Sequence, residues 1–149
     1  MKWSDGTPLT SADFTYWFDN VIKNTTLTKA IPLWLTSLVD GKRVPCEVTA
    51  PDEYTVKFKY SKPSALHYIN GSIVNNVPCQ PAKYMKQWHG DLTTDKAALD
   101  KAMAAGNYKS WDALYNDKNN GRLNIERPSY EPWIQDNPWT NELVTFRRN

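Results

Sequence analysis

The chain has 149 residues, enough for one domain, and 40% of them are hydrophobic, which is sufficient for a packed core and argues against wholesale disorder. Its net charge is +2, and the 18 basic and 16 acidic residues are interspersed, so no basic stripe predicts nucleic-acid binding. No apolar stretch approaches the roughly 20 residues that cross a bilayer, so this chain is not expected to span a membrane. Seven Trp, eight Tyr and four Phe favour core packing, with a cleft for sugars or peptides as the alternative.

The first predicted elements are a turn and a helix. Residues 3–8 contain Asp5-Gly6, a pair that favours tight turns because it tolerates positive φ. Thr10 stands three residues before Asp13, a spacing typical of a capping box at a helix start. A helix is therefore predicted over 11–23, with one buried face at helical spacing: Phe14, Trp17, Phe18, Val21 and Ile22.

The middle of the chain predicts a helix and a hairpin. Residues 29–39 are apolar and end at Asp40-Gly41, which predicts a helix with a stop there. Residues 54–60 alternate between apolar and polar side chains, which predicts a strand with one buried face. We expect residues 44–50 to pair with it across the turn at 51–53.

The remainder is predicted to be mainly helical and to end in a strand. These elements complete an α+β fold in which several helices pack on a short antiparallel sheet, without internal repeats. The predicted elements are helices at 63–70, 81–88, 94–105 and Ser110–Asn116, a loop at 116–121 and a strand at 141–147.

No pattern in the sequence predicts catalysis, a metal or a cofactor. His67 and His89 lack metal-site spacing to any Cys or Asp, and surface or capping positions are expected for both. Gly-rich phosphate loops and the G-x-S-x-G nucleophile motif are absent from the sequence. Cys46 and Cys79 are interpreted as two buried thiols or, alternatively, as a disulfide, which would require an oxidising compartment.

Three segments carry a resemblance to a known family. The first is the set Lys2, Trp3, Ser4, Asp5, Gly6, Pro8, Thr10, Ala12, Asp13 and Phe14. It resembles the signature of the family 5 extracellular solute-binding proteins, which are the peptide, nickel and oligosaccharide receptors of ABC importers. Residues 54–58 with Lys62-Pro63 resemble a strand of that family, and 81–84 resemble its P-x-H-Y segment, with Lys83 in place of the usual His.

The resemblance implies that residues 1–149 are a single partial domain, truncated at both ends. This would be the smaller accessory domain of a longer receptor related to type II periplasmic binding proteins, with the export signal upstream. The expected function is capture of extracellular oligopeptides for an ABC importer permease. The expected location is outside the cytoplasm, either in the periplasm or lipid-anchored on the outer face of the cell membrane. The alternatives are a receptor for oligosaccharides similar to cello-oligosaccharides, and a stand-alone interaction domain without a small ligand.

Four residues are candidates for lying near a ligand. Leu33 and Trp34 follow the first helix, although ordinary core packing is the preferred interpretation there. Trp133 and Trp139 stand among prolines, which favours exposed aromatic rings. Most ligand contacts are expected from the parts of the receptor that lie outside this segment.

Overall fold

The computed structural model describes residues 1–67, 69, 78–140 and 142–149. The chain divides into two compact units, which we call the central unit (Thr10–Gln80) and the terminal unit (Met1–Leu9 with Pro81–Asn149). Among the described residues, helices are combined with three antiparallel sheets of two strands each, in agreement with the predicted α+β class. Within the described ranges, no helix is both long and apolar enough to cross a membrane.

The predicted helix at 11–23 is confirmed and opens the central unit. Helix α1 (Ser11–Tyr16) continues without a break into a π-helical turn over Trp17–Ile22. At its start, the Asp13 carboxylate accepts a hydrogen bond from the Thr10 backbone N–H at 3.0 Å, as a capping box requires. The helix buries one side through Tyr16, Trp17, Phe18, Val21 and Ile22, whereas Phe14 is only half-buried.

The helix predicted over 29–39 is wrong. Only a 3-10 turn at Leu33–Leu35 is helical, and strand β1 (Thr36–Val39) follows it and pairs with β2 (Lys42–Pro45). The Asp40-Gly41 pair is the tip of this hairpin, with φ of 48° and 76°. Two consecutive residues at positive φ form the tight turn whose twist matches antiparallel strands, so this pair signals a hairpin as well as a helix stop.

The second predicted hairpin is confirmed with small shifts. Strand β3 (Glu47–Asp52) pairs with β4 (Thr55–Lys59) in antiparallel register. The Asp52 carboxylate accepts a hydrogen bond from Tyr54 N–H at 2.9 Å, which places the turn two residues later than predicted. Ser11 bonds to this turn by donating its backbone N–H to Glu53 O at 2.8 Å and its hydroxyl to Asp52 O at 2.7 Å. The hairpin tip therefore holds the start of the first helix.

Two further predictions concern the rest of the central unit. Within the helix predicted at 63–70, Leu66, His67 and Ile69 are helical, and residues 68 and 70 lie outside the described residues. Cys46 and Cys79 are both buried as thiols, so the disulfide alternative is not formed here. Burial raises the pKa of the Cys46 thiol, which keeps it protonated at neutral pH.

The terminal unit contains the other predicted helices. Helix α2 (Ala82–Met85) continues into a 3-10 turn, which confirms the segment at 81–88. Helix α3 (Lys96–Ala105) is capped by the Asp95 carboxylate, which accepts from Ala98 N–H at 2.9 Å, and ends before Gly106 as expected. Helix α4 (Trp111–Asn119) ends three residues later than predicted, so the loop expected at 116–121 begins only at Asn120.

A buried histidine lies at the core of the terminal unit. The prediction of a surface position for His89 is wrong, because its side chain is only 1% exposed. The imidazole lies 4.7 Å from the Trp111 ring and 5.6 Å from the Tyr115 ring, measured between centroids. Its Nδ1 accepts a hydrogen bond from Asp91 N–H at 3.2 Å, so part of the predicted capping role is present. Met85 and Leu114 are also fully buried in this unit.

The predicted C-terminal strand is shorter than expected. Strand β6 (Phe146–Arg148) pairs with β5 (Trp133–Gln135), in place of a strand over 141–147, of which residue 141 lies outside the described residues. The Asn137 side chain takes the place of a strand partner for the preceding residues: its amide donates to Leu143 O at 2.7 Å and its oxygen accepts from Thr145 N–H at 2.8 Å. Apart from a hydrogen bond from Asp136 N–H to Thr145 O at 2.9 Å, the regular ladder begins only with the pair of Gln135 and Phe146.

Candidate functional site: a cleft lined by arginine and tryptophan

The N-terminal turn forms one wall of a cleft in the terminal unit. Trp3 is 3% exposed and lies edge-on to Tyr130, with ring centroids 5.6 Å apart. Ser4 and Ser129 exchange two hydrogen bonds, from Ser4 N–H to Ser129 O at 2.8 Å and from Ser129 N–H to Ser4 Oγ at 3.0 Å. The signature residues at the start of the chain therefore hold the segment that follows α4.

Asp5 and Gly6 give that turn its shape. The Asp5 carboxylate accepts from both the backbone N–H and the hydroxyl of Thr7, at 2.9 and 2.6 Å. Gly6 has φ of 82° and donates its N–H to Trp3 O at 2.9 Å. The Asp5 carboxylate thus takes the place of a backbone acceptor in the turn, and Gly6 adopts the positive φ that the turn requires. These two roles explain why Asp and Gly are adjacent there.

The loop after α4 places Arg122 in the cleft. The Asn120 side-chain oxygen accepts from Arg122 N–H at 3.1 Å, which closes a local turn. The Arg122 carbonyl then accepts two hydrogen bonds at 3.0 Å, from Gln135 Nε2 of β5 and from the backbone N–H of Trp139. The backbone of Arg122 is thus bonded at both its N–H and its carbonyl.

The side chain of Arg122 lies over an indole ring. Its guanidinium carbon is 4.6 Å from the centroid of Trp139, within the range of a cation–π contact. Stacking uses the flat face of the guanidinium and leaves the N–H groups at its edge available for other acceptors. Within the described part of the chain, no carboxylate forms an ion pair with Arg122.

Two further arginines line the same cleft. Arg127 donates its Nε–H to the Asn119 side-chain oxygen at 3.0 Å, which ties it to the end of α4. Arg147 of β6 forms an ion pair with Asp136. Glu131 is the one carboxylate among the described lining residues, so the cleft carries an excess of positive charge.

A tyrosine hydroxyl supports the floor of the loop. Asn124 donates its amide to Tyr84 Oη at 2.8 Å and to Lys118 O at 2.7 Å. Burial raises the pKa of Tyr84 above its ordinary value, so this hydroxyl stays protonated across the physiological range. The loop over 120–127 is therefore held from α2 and α4 as well as from β5.

The cleft has a volume of about 500 Å³ and lies entirely within the terminal unit. That volume falls in the range of small-molecule sites, about 300–1,000 Å³. Its walls combine guanidinium groups, side-chain amides and aromatic rings, which can bind a polar ligand by hydrogen bonds and ring contacts. Nucleophile and base pairs of the kind that covalent catalysis needs do not occur among the described lining residues.

The structure brings only two of the predicted ligand-proximal residues together. Trp133 and Trp139 both line the cleft and are 57% and 48% exposed, which agrees with the expectation of exposed rings. Trp34 is 6% exposed and stacks on Trp17 at 6.0 Å, so it belongs to the core of the central unit, whereas Leu33 is 58% exposed. A ligand role for any of the four residues stays a prediction.

Sequence reasoning missed the arginines of the cleft. Arg122 and Arg127 follow the loop predicted at 116–121 and were given no role, and Arg147 was included only as the last residue of the strand predicted at 141–147. A usable signal was the series Asn119, Asn120 and Asn124 around Arg122, since Asn side chains bond neighbouring backbone groups and order loops. That series indicates a loop held in one conformation by side-chain hydrogen bonds. It does not indicate which residues of β5 and β6 lie opposite the loop.

The chain belongs to the bacterial extracellular solute-binding proteins, family 5, because the middle model of that family matches residues 1–143. Among solved structures it is similar to the oligopeptide-binding protein OppA, with 33% identity and a TM-score of 0.80. That match covers 99% of this chain and 22% of OppA. The resemblance on which the sequence prediction rested is therefore confirmed.

Two further proteins are similar to the chain, one over part of its sequence and one in fold. It is 36% identical over 73 residues to the periplasmic murein peptide-binding protein MppA of Escherichia coli, covering 42% of this chain and 13% of MppA. The periplasmic binding protein MelB of Agrobacterium fabrum, solved with stachyose, shares the fold at a TM-score of 0.61 and 18% identity, over 99% of this chain and 19% of MelB. The chain thus spans about a fifth or less of the length of each relative.

Proposed function

We propose that the chain is the smaller accessory domain of a receptor that captures oligopeptides outside the cytoplasm for an ABC importer. The observation that carries this proposal is the likeness to the oligopeptide-binding protein OppA, at 33% identity and with 99% of the chain superposed. The similarity to a murein peptide-binding protein supports the same class of ligand. In this proposal residues 1–149 form one partial domain with a supporting role and no catalytic function.

The proposed receptor works by closure around its ligand. Receptors of this kind enclose a ligand by hinge motion between lobes, and the closed form docks on the permease. A rigid accessory domain contributes by supporting one lobe and forming a wall of the ligand cleft. Each unit buries its own core, which suits a supporting role. The proposal requires no metal or cofactor in either unit.

A receptor for neutral oligosaccharides of the cello-oligosaccharide type is the second candidate. The observation in its favour is the pair Trp133 and Trp139, whose rings are about half exposed. Exposed indole faces are suited to contact with sugar rings. The third alternative, an interaction domain without a small ligand, has no specific observation in its favour.

A thermal-shift experiment on the full-length receptor separates the two ligand classes. We expect a mixture of tri- to pentapeptides to raise the melting temperature, because ligand at 100 times its Kd adds about 2.7 kcal/mol to native-state stability. Cellotriose and cellotetraose at the same concentration serve as the matched comparison. A rise with the sugars alone would support the second candidate, and no rise with either would contradict both.

The same proposal predicts that this segment alone binds neither ligand appreciably, because the ligand is expected to contact mainly other parts of the receptor. Calorimetry on the 149-residue chain tests this directly. Micromolar affinity for peptides or cello-oligosaccharides would show that the segment contains the main binding pocket. In that case the supporting role would be wrong.

A further inference from the structure

We infer that the cleft of the terminal unit is a separate binding site for a short acidic oligosaccharide, one whose sugar rings carry carboxylates. This inference goes beyond the proposed peptide receptor and does not depend on it. It rests on three observations: an excess of positive charge, two exposed indole rings, and a loop whose backbone is held by hydrogen bonds from its neighbours.

The charge of the cleft selects for an anion. Three arginines line it, Arg122, Arg127 and Arg147, against the single carboxylate of Glu131 in the described lining. Arg147 is matched by Asp136 and Arg127 is tied to Asn119, which leaves Arg122 as the guanidinium without a carboxylate among the described residues. A ligand carboxylate can accept two parallel hydrogen bonds from the edge of such a group.

The aromatic side chains of the cleft favour a ligand that contains sugar rings. Trp133 and Trp139 keep 57% and 48% of their surface exposed in this segment, and both line the same cleft. Exposed aromatic rings beside polar side chains are suited to ligands that combine an apolar face with polar edges. A sugar ring has both, because its C–H groups form one face and its hydroxyls project around the rim.

Hydrogen bonds within the terminal unit hold the loop that carries Arg122. The backbone of Arg122 is held by Asn120, Gln135 and Trp139, at distances of 3.0 to 3.1 Å. Its guanidinium is held over the Trp139 ring, with its edge free to donate. A site ordered in this way loses little conformational entropy on binding, which favours small ligands.

The three observations together favour a saccharide over a peptide. An extended peptide is usually recognised by a line of backbone donors and acceptors, as at a strand edge. The described lining of this cleft consists instead mainly of guanidinium, amide and aromatic side chains. The excess of positive charge favours a saccharide with carboxylates over a neutral one at this cleft.

The test is titration calorimetry on the full-length protein, with trigalacturonate as the acidic probe and maltotriose as the neutral trisaccharide. We expect trigalacturonate to bind, and maltotriose to bind at least about tenfold more weakly, because a bidentate charged contact is lost. Triglutamate serves as the matched acidic peptide and should also bind at least about tenfold more weakly, because it lacks rings.

Variants of the cleft locate the binding. Arg122→Gln and Trp139→Ala should each weaken trigalacturonate binding about tenfold or more, and Arg122→Lys should do so partly, because a lysine keeps the charge but not the planar fork. Arg43→Gln, an exposed arginine of the central unit, is the matched control and should leave affinity within about twofold. If circular dichroism shows that Trp139→Ala disturbs folding, Trp133→Ala replaces it in the test, because that side chain is more exposed.

Three outcomes would overturn the inference. They are an absence of trigalacturonate binding at millimolar concentration, equal binding of triglutamate, and affinity that is unchanged in the folded cleft variants. The thermal shift with peptides should be the same for Arg122→Gln as for the unmodified protein, so failure of this inference is distinguishable from failure of the proposed peptide receptor.

Discussion

The two units differ in how their cores are assembled. In the central unit, one amphipathic helix supplies five of the large buried side chains, and its start is bonded to the tip of a neighbouring hairpin. In the terminal unit the core surrounds His89, and its aromatic neighbours come from a separate helix more than 20 residues later. Regular periodicity defines the first core, whereas the second depends on contacts between segments distant in sequence.

The comparison also explains where the cleft lies. In the central unit, the aromatic side chains that repeat at helical spacing on α1 and its π-helical turn are mostly buried in the core. Few of these rings are therefore exposed to solvent. The terminal unit connects short elements by long loops, and those loops are held by side-chain hydrogen bonds from Asn120, Asn124 and Asn137. Loops that a scaffold holds in this way are where binding residues are usually found.

The largest effect is expected from the helix of the central unit. Phe18→Ala should lower the free energy of unfolding by about 3–5 kcal/mol, because the ring is 1% exposed and its removal leaves a cavity. Urea denaturation measures the total, and hydrogen exchange should locate the loss in residues 10–80. Tyr54→Ala is the control, since that ring is 72% exposed and its loss should cost no more than about 0.5 kcal/mol. Equal effects of the two variants would contradict the single-helix core.

A second change probes the aromatic core of the terminal unit. Gly90→Ala should destabilise by about 1–3 kcal/mol, because the added methyl group would lie 2.5 Å from the Trp111 ring. Gly121→Ala is a matched control, since its nearest neighbour would be the Arg127 guanidinium at 3.7 Å, an ordinary contact. Thermal unfolding of both variants checks the difference. Full stability of Gly90→Ala would show that the rings around His89 can move apart at little cost.

A smaller effect is expected at the helix start. Asp13→Ala should cost about 1 kcal/mol, because it removes the carboxylate that accepts from Thr10 N–H. Asp19→Ala, on the same helix, removes only an exposed ion pair with Lys23 and should cost about 0.3–0.5 kcal/mol. Urea denaturation of both variants measures the difference. A larger loss in Asp19→Ala would contradict the capping role.

An effect of about the same size at neutral pH is expected at Tyr60. Its hydroxyl donates to Trp34 O at 2.9 Å and lies 2.8 Å from His67 Nδ1, so Tyr60→Phe should cost about 1 kcal/mol. Burial, with a smaller contribution from Cys46, raises the pKa of this phenol in the folded state. The unfolded chain therefore loses the proton first, and stability should fall as pH rises above about 10.

Hydrogen exchange in the central unit between pH 9 and 11 measures that fall. Tyr60→Phe should reduce the slope there and leave the terminal unit unchanged, because the phenylalanine has no proton to lose. Tyr84→Phe is the converse control, since burial raises the pKa of that phenol in the terminal unit. Identical slopes in the unmodified protein and Tyr60→Phe would contradict the assignment.

Much of the fold was predictable where a pattern is local. The helix from Ser11, the hairpin around Tyr54 and the helix ending before Gly106 all follow from spacing, caps and turn residues. The segment before Asp40-Gly41 was predicted wrongly, since a short apolar run fits a helix or a strand equally well until a partner strand is known. The last strand was predicted too long, because Asn137 occupies the backbone groups of the residues before it.

The candidate site was predictable in part. Trp133 and Trp139 were identified from their exposed, proline-rich surroundings, whereas Trp34 occupies a core position against Trp17. Arg122 was not identified, because its place over Trp139 depends on a hydrogen bond from Gln135, thirteen residues further along the chain. No spacing rule connects such residues.

The sequence by itself determined the family, the capped helix and the turn that precedes it, because these depend on residues within one or two turns of backbone. Only the tertiary structure decided that His89 is a core residue and that three arginines and two indoles share one cleft. The physical reason is the range of the interactions: caps and periodicity act between near neighbours in the chain. Burial of a histidine and convergence of charged side chains depend on elements that meet only when the chain has folded.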